Sequence, residues 1–412
     1  MNKTGIFLVL LLSFMRTELI AQDLEHIKFT AEKATEWNQL FTRDSGWYGG
    51  DGIYSIPLNG KEHAATTNGK TLFIFSDSMI GRLKNGARVK IQDGSKMIHN
   101  ATALLTGITP DSSKLTFHWN TSAAGNAETV FIPKTPMTGP RDYYWLGDGF
   151  VNPEKNHAIY LFGYRIKQIS DGTFGFSEIG NTLIKIEAKE TPPYKNYKQF
   201  DTPFYISKES TKNIENVKAG VQVESGETGS FGAGIYVNTI QSGAAKPDGF
   251  IYVYGVKGNA KKLLAARVRP KDFEDYTKWN FWNGTQWQAD MKQSAAITDQ
   301  VSNELSVTAL PDGRYALIFQ QGGIGSHVGM RLGKTPYGPF GPIIKIWDCT
   351  PDLIQKTYFA YNAKAHPSLS PKGELLISYN INSFDFLKDL SNDPQLYRPR
   401  FIRIKFEEAI KQ

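Results

Sequence analysis

The sequence lacks the features that define several large classes of protein. Cys349 is the only cysteine among 412 residues, so no disulfide can form within the chain and stability must come from packing. No stretch beyond the first 21 residues is long and apolar enough to cross a bilayer. Lys and Arg are scattered, without the dense basic stripe that nucleic-acid binding requires. These absences argue against a disulfide scaffold, a helical membrane protein and a nucleic-acid partner, and they predict that Cys349 is a buried thiol.

Helical patterning is also scarce, and it is confined to residues 31–41 and 407–411. In contrast, the chain is rich in glycine (38 residues) and in aromatic side chains (13%), which is typical of a β protein with many tight turns. A hydrophobic fraction of 40% is ample for a large core. The net charge of +7 is dispersed and favours at most a weak attraction to acidic polysaccharides. Composition leaves the oligomeric state open.

The first 21 residues have the pattern of a signal peptide. Lys3 precedes an apolar run at residues 6–14, and Ala21 supplies a small residue before the cleavage point. The run is too short for a transmembrane helix; an interfacial anchor is the alternative, because two charged residues interrupt the approach to the cut. We therefore expect a signal peptide over residues 1–21, a single domain over residues 22–412, and a secreted or periplasmic location.

One stretch predicts a hairpin with two carboxylates at one end. Residues 51–56 alternate like a half-buried strand, and residues 72–75 form a short apolar run typical of a buried strand. Consecutive strands usually pair antiparallel. Asp51, at the start of the first strand, and Asp77, just after the second, should therefore lie close together.

This theme of a small-residue strand, a turn and a strongly apolar strand recurs along the chain. Its copies begin near Asp51, Asp148, Gly232, Glu304 and Lys364. Five unevenly spaced copies predict a radial all-β array, a five-bladed β-propeller. Closing such a ring would require an extra pairing, which we expect between residues 27–29 and the last strand at residues 401–404.

Several motifs in this order carry a family resemblance. They are Trp47 with Gly49-Gly50-Asp51-Gly52, Phe75-Ser76-Asp77, His99-Asn100, Lys364-Ala365-His366-Pro367 and Ser378-Tyr379-Asn380. Over nearly the whole mature chain, the sequence resembles secreted bacterial five-bladed β-propellers of largely unassigned function. These in turn resemble the propeller glycoside hydrolases of the arabinanase and levansucrase type.

The resemblance implies that catalytic acids lie on the first strands of successive blades. This implies Asp51 in the first blade and Asp148 in the second. The third first strand, residues 231–237, departs from the pattern because it carries no acid. Glu224 and Glu227 precede that strand and Glu304 lies in the fourth unit, so the sequence leaves the identity of the general acid open.

Glycoside hydrolysis needs one carboxylic acid as proton donor and a second carboxylate as base or nucleophile. Asp51 and Asp77 are the leading pair, with Asp148 and Glu304 as further catalytic candidates. The alternative for the aspartates is a role in turns and caps. Glu304 lies on an otherwise apolar strand, where an unpaired charge is costly, so it should face the channel or form a salt bridge to one of the nearby Arg residues.

Six further residues are candidates for carbohydrate binding. They are Trp47, His99, Asn100, Trp145, His366 and Tyr379. The aromatic rings could stack on sugar faces, and the polar side chains could hold hydroxyls. The alternatives are Trp packing between blades and a hydrogen-bonded core His. The resemblance also implies a central position near His366 for a cation or water, but no His and Asp cluster has ligand spacing, so we predict no metal and no cofactor.

These observations favour a secreted glycoside hydrolase that cleaves a polysaccharide or oligosaccharide. Two alternatives remain open. The missing acid in the third unit suits a non-catalytic carbohydrate-binding propeller. A polysaccharide lyase would instead use His99 or Tyr379 to abstract a proton.

Overall fold

The computed structural model describes residues 23–63, 65–66, 68–84, 90–91, 94–170, 175–207 and 227–407. The N-terminal 22 residues, Glu224 and residues 408–411 lie outside this part, so the predictions made for them are not addressed by the structure. No helix in these ranges is long and apolar enough to cross a membrane.

Strands dominate the described chain, which confirms the all-β prediction. In chain order they are β1 (Phe29–Lys33), β2 (Ser45–Gly50), β3 (Tyr54–Pro57), β4 (Lys70–Phe75), β5 (Ser78–Lys84), β6 (Lys90–Ile91), β7 (Lys96–Ile98), β8 (Ala101–Thr106), β9 (Leu115–His118), β10 (Asn120–Thr121), β11 (Ala127–Glu128), β12 (Tyr143–Asn152), β13 (Ala158–Gln168), β14 (Phe176–Ile186), β15 (Tyr197–Asp201), β16 (Tyr205–Ile206), β17 (Gly229–Asn238), β18 (Phe250–Lys257), β19 (Lys262–Val268), β20 (Asn280–Trp282), β21 (Trp287–Gln288), β22 (Leu305–Ala309), β23 (Tyr315–Gln320), β24 (Ile324–Gly325), β25 (His327–Gly333), β26 (Ile344–Asp348), β27 (Tyr358–Ala365), β28 (Glu374–Ser383) and β29 (Pro399–Phe406).

In the described part of the chain two α-helices accompany the strands, α1 (Thr35–Leu40) and α2 (Phe386–Asn392). Single 3₁₀ turns occur at Ser112–Lys114, Pro153–Lys155, Pro270–Asp272, Tyr276–Lys278, Met291–Gln293, Thr350–Asp352 and Pro367–Leu369.

Successive antiparallel sheets are arranged around a common centre, as in a β-propeller. In order these sheets are β3-β4-β8-β9, β12-β13-β14-β15, β16-β17-β18-β19-β20-β21, β22-β23-β25-β26 and β1-β29-β28-β27-β24. The strands β3, β12, β17, β22 and β27 contact each other in this order. The ring closes where His366, just after β27, bonds the Ser55 hydroxyl of β3 over 2.8 Å. A further sheet of β2, β5, β6 and β7 extends the first hairpin, and β10 pairs with β11.

The N-terminal strand is paired with the last strand, as expected, although with different residues. Residues 29–33 of β1 pair antiparallel with residues 402–406 of β29. The helix predicted over residues 31–41 is therefore wrong in its first part, and only Thr35–Leu40 is helical. The free edge of β29 offers backbone hydrogen bonds that outweigh the local helical pattern. The sequence pattern also missed α2.

Bulges interrupt the ladders of the strands nearest the centre. Register shifts occur in β12 between Leu146 and Gly149 and in β27 between Tyr361 and Lys364. A bulge leaves a residue unpaired and re-aims its side chain. Asp148 lies in the first of these bulges, so the irregular backbone turns a charged side chain out of the regular strand pattern.

Candidate active site

Asp51 and Asp77 meet across the first hairpin, where the sequence predicts them. The Asp51 amide donates to the Asp77 carbonyl oxygen over 3.2 Å, and the Ser76 amide donates to the Asp51 carbonyl oxygen over 2.9 Å. Gly52 follows with φ of +65°, and a Cβ there would lie 2.7 Å from the Ser76 hydroxyl. Glycine is therefore required at this position, and it fixes the turn that places Asp51 opposite Asp77.

The Asp51 carboxyl group has an unusual proton affinity. Burial is the main cause, and the neighbouring charges of Asp77 and Glu304 add to it, which raises the pKa of Asp51 to about 7. The Tyr361 hydroxyl donates to Oδ2 of Asp51 over 2.7 Å and, together with Tyr397, opposes the rise. Near neutral pH the group therefore exchanges between acid and carboxylate, as a general acid or base requires.

Asp77 contacts the first of three adjacent aromatic side chains, those of His99, Tyr143 and Trp145. The His99 Nδ1 atom lies 3.1 Å from Oδ1 of Asp77 and forms an ion pair with it when the imidazole is protonated. The ring of His99 stacks on Tyr143 with centroids 3.8 Å apart, and Tyr143 meets the ring of Trp145 edge-on at 6.1 Å. The indole N–H of Trp145 is buried and has no hydrogen-bond partner in the described part of the chain. His99 is therefore the member of this row that contacts Asp77, and Tyr143 and Trp145 extend the aromatic surface beside it.

Glu304 is paired with Lys364 rather than with the Arg residue that the sequence suggests as its alternative partner. The Lys364 ammonium contacts the Glu304 carboxylate, donates to the Asn362 carbonyl oxygen over 3.0 Å and lies 4.6 Å from the Tyr54 ring centroid. Only 1% of the Lys364 side chain is exposed. Burial raises the pKa of Glu304, and Lys364 opposes that shift. A buried ion pair therefore lies beside Asp51, and Lys364 was absent from the predicted site.

Asp148 joins two neighbouring central strands. Its Oδ1 accepts from the Gly149 amide over 2.8 Å, and its Oδ2 accepts from the Ile235 amide over 2.7 Å. Burial nevertheless raises its pKa to about 7. The charges of Glu304 and Lys364 both act on Asp148, so the structure brings all four predicted acids into one electrostatic cluster.

The sequence reasoning missed two residues at the other end of this cluster. Glu62 and His63, in the β3–β4 loop, line a narrow central cavity of about 40 Å³ together with Asp148. His63 Nε2 bonds the Val237 carbonyl oxygen over 2.8 Å, and burial places the pKa of Glu62 well above its ordinary value. No periodic signal distinguishes these residues, because they lie in a turn-rich loop.

Glu178 is a further carboxyl group that the sequence did not reveal. It lies in β14, is half-buried, and has a buried Oε1 atom without a hydrogen-bond partner among the described residues. Burial raises its pKa to about 7, while a bond from Ser230 and the charge of Lys261 oppose the rise. The charges of Glu178, Glu304 and Asp148 all raise the pKa of the Tyr164 hydroxyl, so Glu178 belongs to the same electrostatic neighbourhood.

Two predicted sugar-binding residues are core residues instead. Trp47 is fully buried, stacks on Phe117 at 4.7 Å and donates its indole N–H to Ser78 over 3.2 Å. Asn100 is also fully buried, and its amide group bonds the backbone of Phe131 and Tyr144 through three hydrogen bonds. Neither side chain has a free surface or polar atom for a ligand, so both assignments are corrected.

The side chains of His366 and Tyr379 also have structural hydrogen-bond partners instead of facing a sugar. Both ring nitrogens of His366 bond serine hydroxyls, those of Ser55 and Ser378, at 2.8 Å. Burial lowers the pKa of His366 to about 3, so the ring is a neutral bridge with no nitrogen left for a cation. In the described residues, no group of three or more His, Cys, Asp or Glu is placed to hold a metal ion. Tyr379 is buried, donates to Asp352 and lines a separate cavity.

The remaining predictions concern Glu227 and Cys349. Glu227 forms an ion pair at 3.1 Å with Lys262, the first residue of β19, which is the strand next to β18. Cys349 is buried and its pKa is raised to about 12, mainly by burial, as expected for an inert structural thiol.

Comparison with known proteins assigns the family. The model of the family described as "Domain of unknown function (DUF5005)" matches residues 34–406, and the chain belongs to this family. The prediction of a family without an assigned function is thereby confirmed. No curated protein matches the chain.

One solved structure shares the fold at low sequence identity, and others are more distantly similar. A protein from Bacteroides ovatus described as a "putative hydrolase" is 21% identical, with a TM-score of 0.66 over 91% of this chain and 90% of that chain. An α-L-arabinofuranosidase from Clostridium thermocellum is 14% identical, with a TM-score of 0.42 over 85% of this chain and 88% of that one. A GH62 hydrolase in complex with xylotriose is 10% identical, with a TM-score of 0.42 over 89% and 99%.

Proposed function

We propose that this chain is an exported five-bladed β-propeller that hydrolyses glycosidic bonds, with Asp51 and Asp77 as its central carboxyl pair. The observation that carries the proposal is their meeting across one hairpin, with the pKa of Asp51 raised to about 7. A carboxyl group that can hold a proton near neutral pH, beside a second carboxyl group, is what acid–base cleavage of a glycoside requires. The description of the Bacteroides ovatus protein as a hydrolase agrees with this proposal.

The surroundings suggest a role for each group. Asp51 exchanges its proton near neutral pH, so it can donate to the leaving oxygen or accept from water. Asp77, held by His99, supplies the second carboxylate. Glu178, in the second sheet, also has a pKa of about 7 and is the alternative proton donor, since the first strand of the third unit carries no acid.

The row of His99, Tyr143 and Trp145 supports a carbohydrate substrate. Aromatic rings offer an apolar surface to the C–H face of a sugar. The sugar-binding part of the proposal therefore rests on His99 and Trp145 among the six predicted residues.

An activity screen tests this proposal directly. The purified protein should release reducing ends from at least one member of a panel of plant, algal and bacterial polysaccharides. Asp51→Asn and Asp77→Asn should abolish that release while both variants keep the circular dichroism spectrum of the wild type. Release of an unsaturated, ultraviolet-absorbing uronic product would instead identify a lyase and overturn the proposal.

A non-catalytic carbohydrate-binding propeller is the second candidate. Asp148 accepts hydrogen bonds from two backbone amides, and Glu304 pairs with Lys364. Because these two acids already have structural partners, their presence does not by itself require catalysis. In the same screen, saturable binding of a glycan without any turnover would identify this function.

A further inference from the structure

A second cavity lies on the outer part of the last sheet, apart from the Asp51 site. Its volume is about 310 Å³, within the range of small-ligand pockets. It is enclosed by the start of α1, the segment 351–354, β28 and the start of β29. The side chains that matter here are those of Lys33, Asp352, Tyr358, Tyr379, Arg398 and Arg400.

Two neighbouring guanidinium groups line this cavity without a carboxylate partner. Arg400 donates to the carbonyl oxygens of Leu396 and Arg398, the former over 2.6 Å. The Nε atom of Arg398 is buried and has no hydrogen-bond partner in the described part of the chain. Neither Arg398 nor Arg400 forms an ion pair with any residue in the described part of the chain. Burial, and then the charge of Arg398, lower the pKa of Arg400 to about 10.

The acidic side chains that line the cavity are already engaged. Asp352 accepts the Tyr379 hydroxyl and pairs with the Lys33 ammonium at 3.5 Å. Asp393 accepts the Gln395 amide over 3.1 Å.

Three cationic and two anionic side chains thus line the cavity, which leaves a net charge of +1. Burying cations without a partner is costly. In the described part of the chain no carboxylate lies within ion-pairing distance of either guanidinium group, although Asp352 and Asp393 attract both from farther away. A bound oxyanion would supply that direct partner.

We propose that this cavity is a binding site for a small oxyanion, held by Arg398 and Arg400 with Lys33 at its rim. The planar guanidinium fork suits a carboxylate or a phosphate. The rings of Tyr358 and Tyr379 also line the cavity, where they can contact the sugar ring of a sugar acid while the guanidinium groups hold its carboxylate. The site is separate from the proposed hydrolytic pair and does not depend on it.

Isothermal titration calorimetry of the wild-type protein provides the test, with galacturonate, inorganic phosphate and galactose as probes. At least one of the two anions should bind saturably and more weakly as ionic strength rises, whereas galactose should not bind at this site. The anion that binds more tightly identifies the carboxylate or the phosphate as the natural chemistry. Binding should be unchanged in Asp51→Asn, which separates this site from the central one.

Matched variants locate the binding. Arg398→Gln should weaken it roughly tenfold, because a charge-assisted hydrogen bond is lost. Lys33→Gln, whose side chain is 56% exposed, should fold normally and weaken binding about threefold. Lys198→Gln, at a 66% exposed lysine elsewhere, is the control and should bind as the wild type does. Absence of binding by either anion, or equal binding in the folded Arg398→Gln and Lys33→Gln variants, would overturn the proposal.

Discussion

The Tyr361 hydroxyl donates to the Asp51 carboxylate over 2.7 Å, although the two residues are 310 positions apart in the sequence. This bond links the last sheet of the ring to the first at the point where the predicted acid lies. Asn382 donates to the Tyr361 oxygen over 3.3 Å and orients the hydroxyl. The position of Asp51 is therefore set by the closed ring as well as by its own hairpin.

If Asp51 and Asp77 act together, Asn at either position should lower kcat/KM on the true substrate by roughly 10²–10⁴-fold. The double variant should be barely worse than either single variant, because residues that act as a unit are not additive. Asp111→Asn is the control, since Asp111 is exposed and asparagine also caps turns. Near-normal turnover in both single variants, combined with lower thermal stability, would reduce the aspartates to turn and cap residues.

The raised pKa of Asp51 predicts a pH-dependent difference in stability. The unfolded carboxyl loses its proton near pH 4 and the folded one near pH 7, so the folded state binds more protons between these values. The contribution of Asp51 to stability is thus present below pH 4 and is lost as the pH rises to 7. Relative to the wild type, Asp51→Asn should gain melting temperature from pH 5 to pH 8 in scanning fluorimetry. A difference that is constant across this range would contradict the buried, protonated state.

The buried pair of Lys364 and Glu304 predicts a coupling energy. Lys364→Met leaves the Glu304 carboxylate buried without a partner and should destabilise the fold by about 3–5 kcal/mol in urea denaturation. Adding Glu304→Gln should recover part of that loss. Lys114→Met removes an exposed ion pair with Asp111 and should cost less than about 1 kcal/mol. Additive effects of the two central substitutions would show that the groups are independently solvated.

Two tryptophans should respond differently to substitution. Trp47→Ala should lower the free energy of unfolding by about 3–5 kcal/mol, because it empties a packed site. Trp145→Phe replaces the indole by a smaller aromatic ring, so less surface is left to stack on a sugar, and it should raise KM or the glycan Kd roughly tenfold with little change in stability. A stability loss without any change in binding for Trp145→Phe would place that residue in the core as well.

Export predicts a processed N-terminus. The protein purified from its native source should begin near Gln22, because the first 21 residues have the pattern of a signal peptide. Intact-mass spectrometry measures this directly. A mass that includes Met1 would rule out cleavage.

The sequence predicts the placement of Asp51 and Asp77 because both are fixed by one local hairpin, whose period and turns are visible in the chain. It could not predict the ion pair of Lys364 and Glu304, since that contact joins two sheets and depends on how the ring closes. The burial of Trp47 was equally hidden, because Phe117 reaches it from a strand about 70 residues away. Glu178 was missed for a related reason, since its strand is third in its sheet and the repeat pattern marks only the first two.

The pairing of β1 with β29 makes the two extremities of the described chain neighbours in one sheet. The pairing of β1 with β29 can therefore form only after the final strand has left the ribosome. Contacts of such large sequence separation slow folding, so closure of the ring should be a late step. If the chain is exported, as proposed, this late step would leave the ring open until the chain has passed the translocation pore.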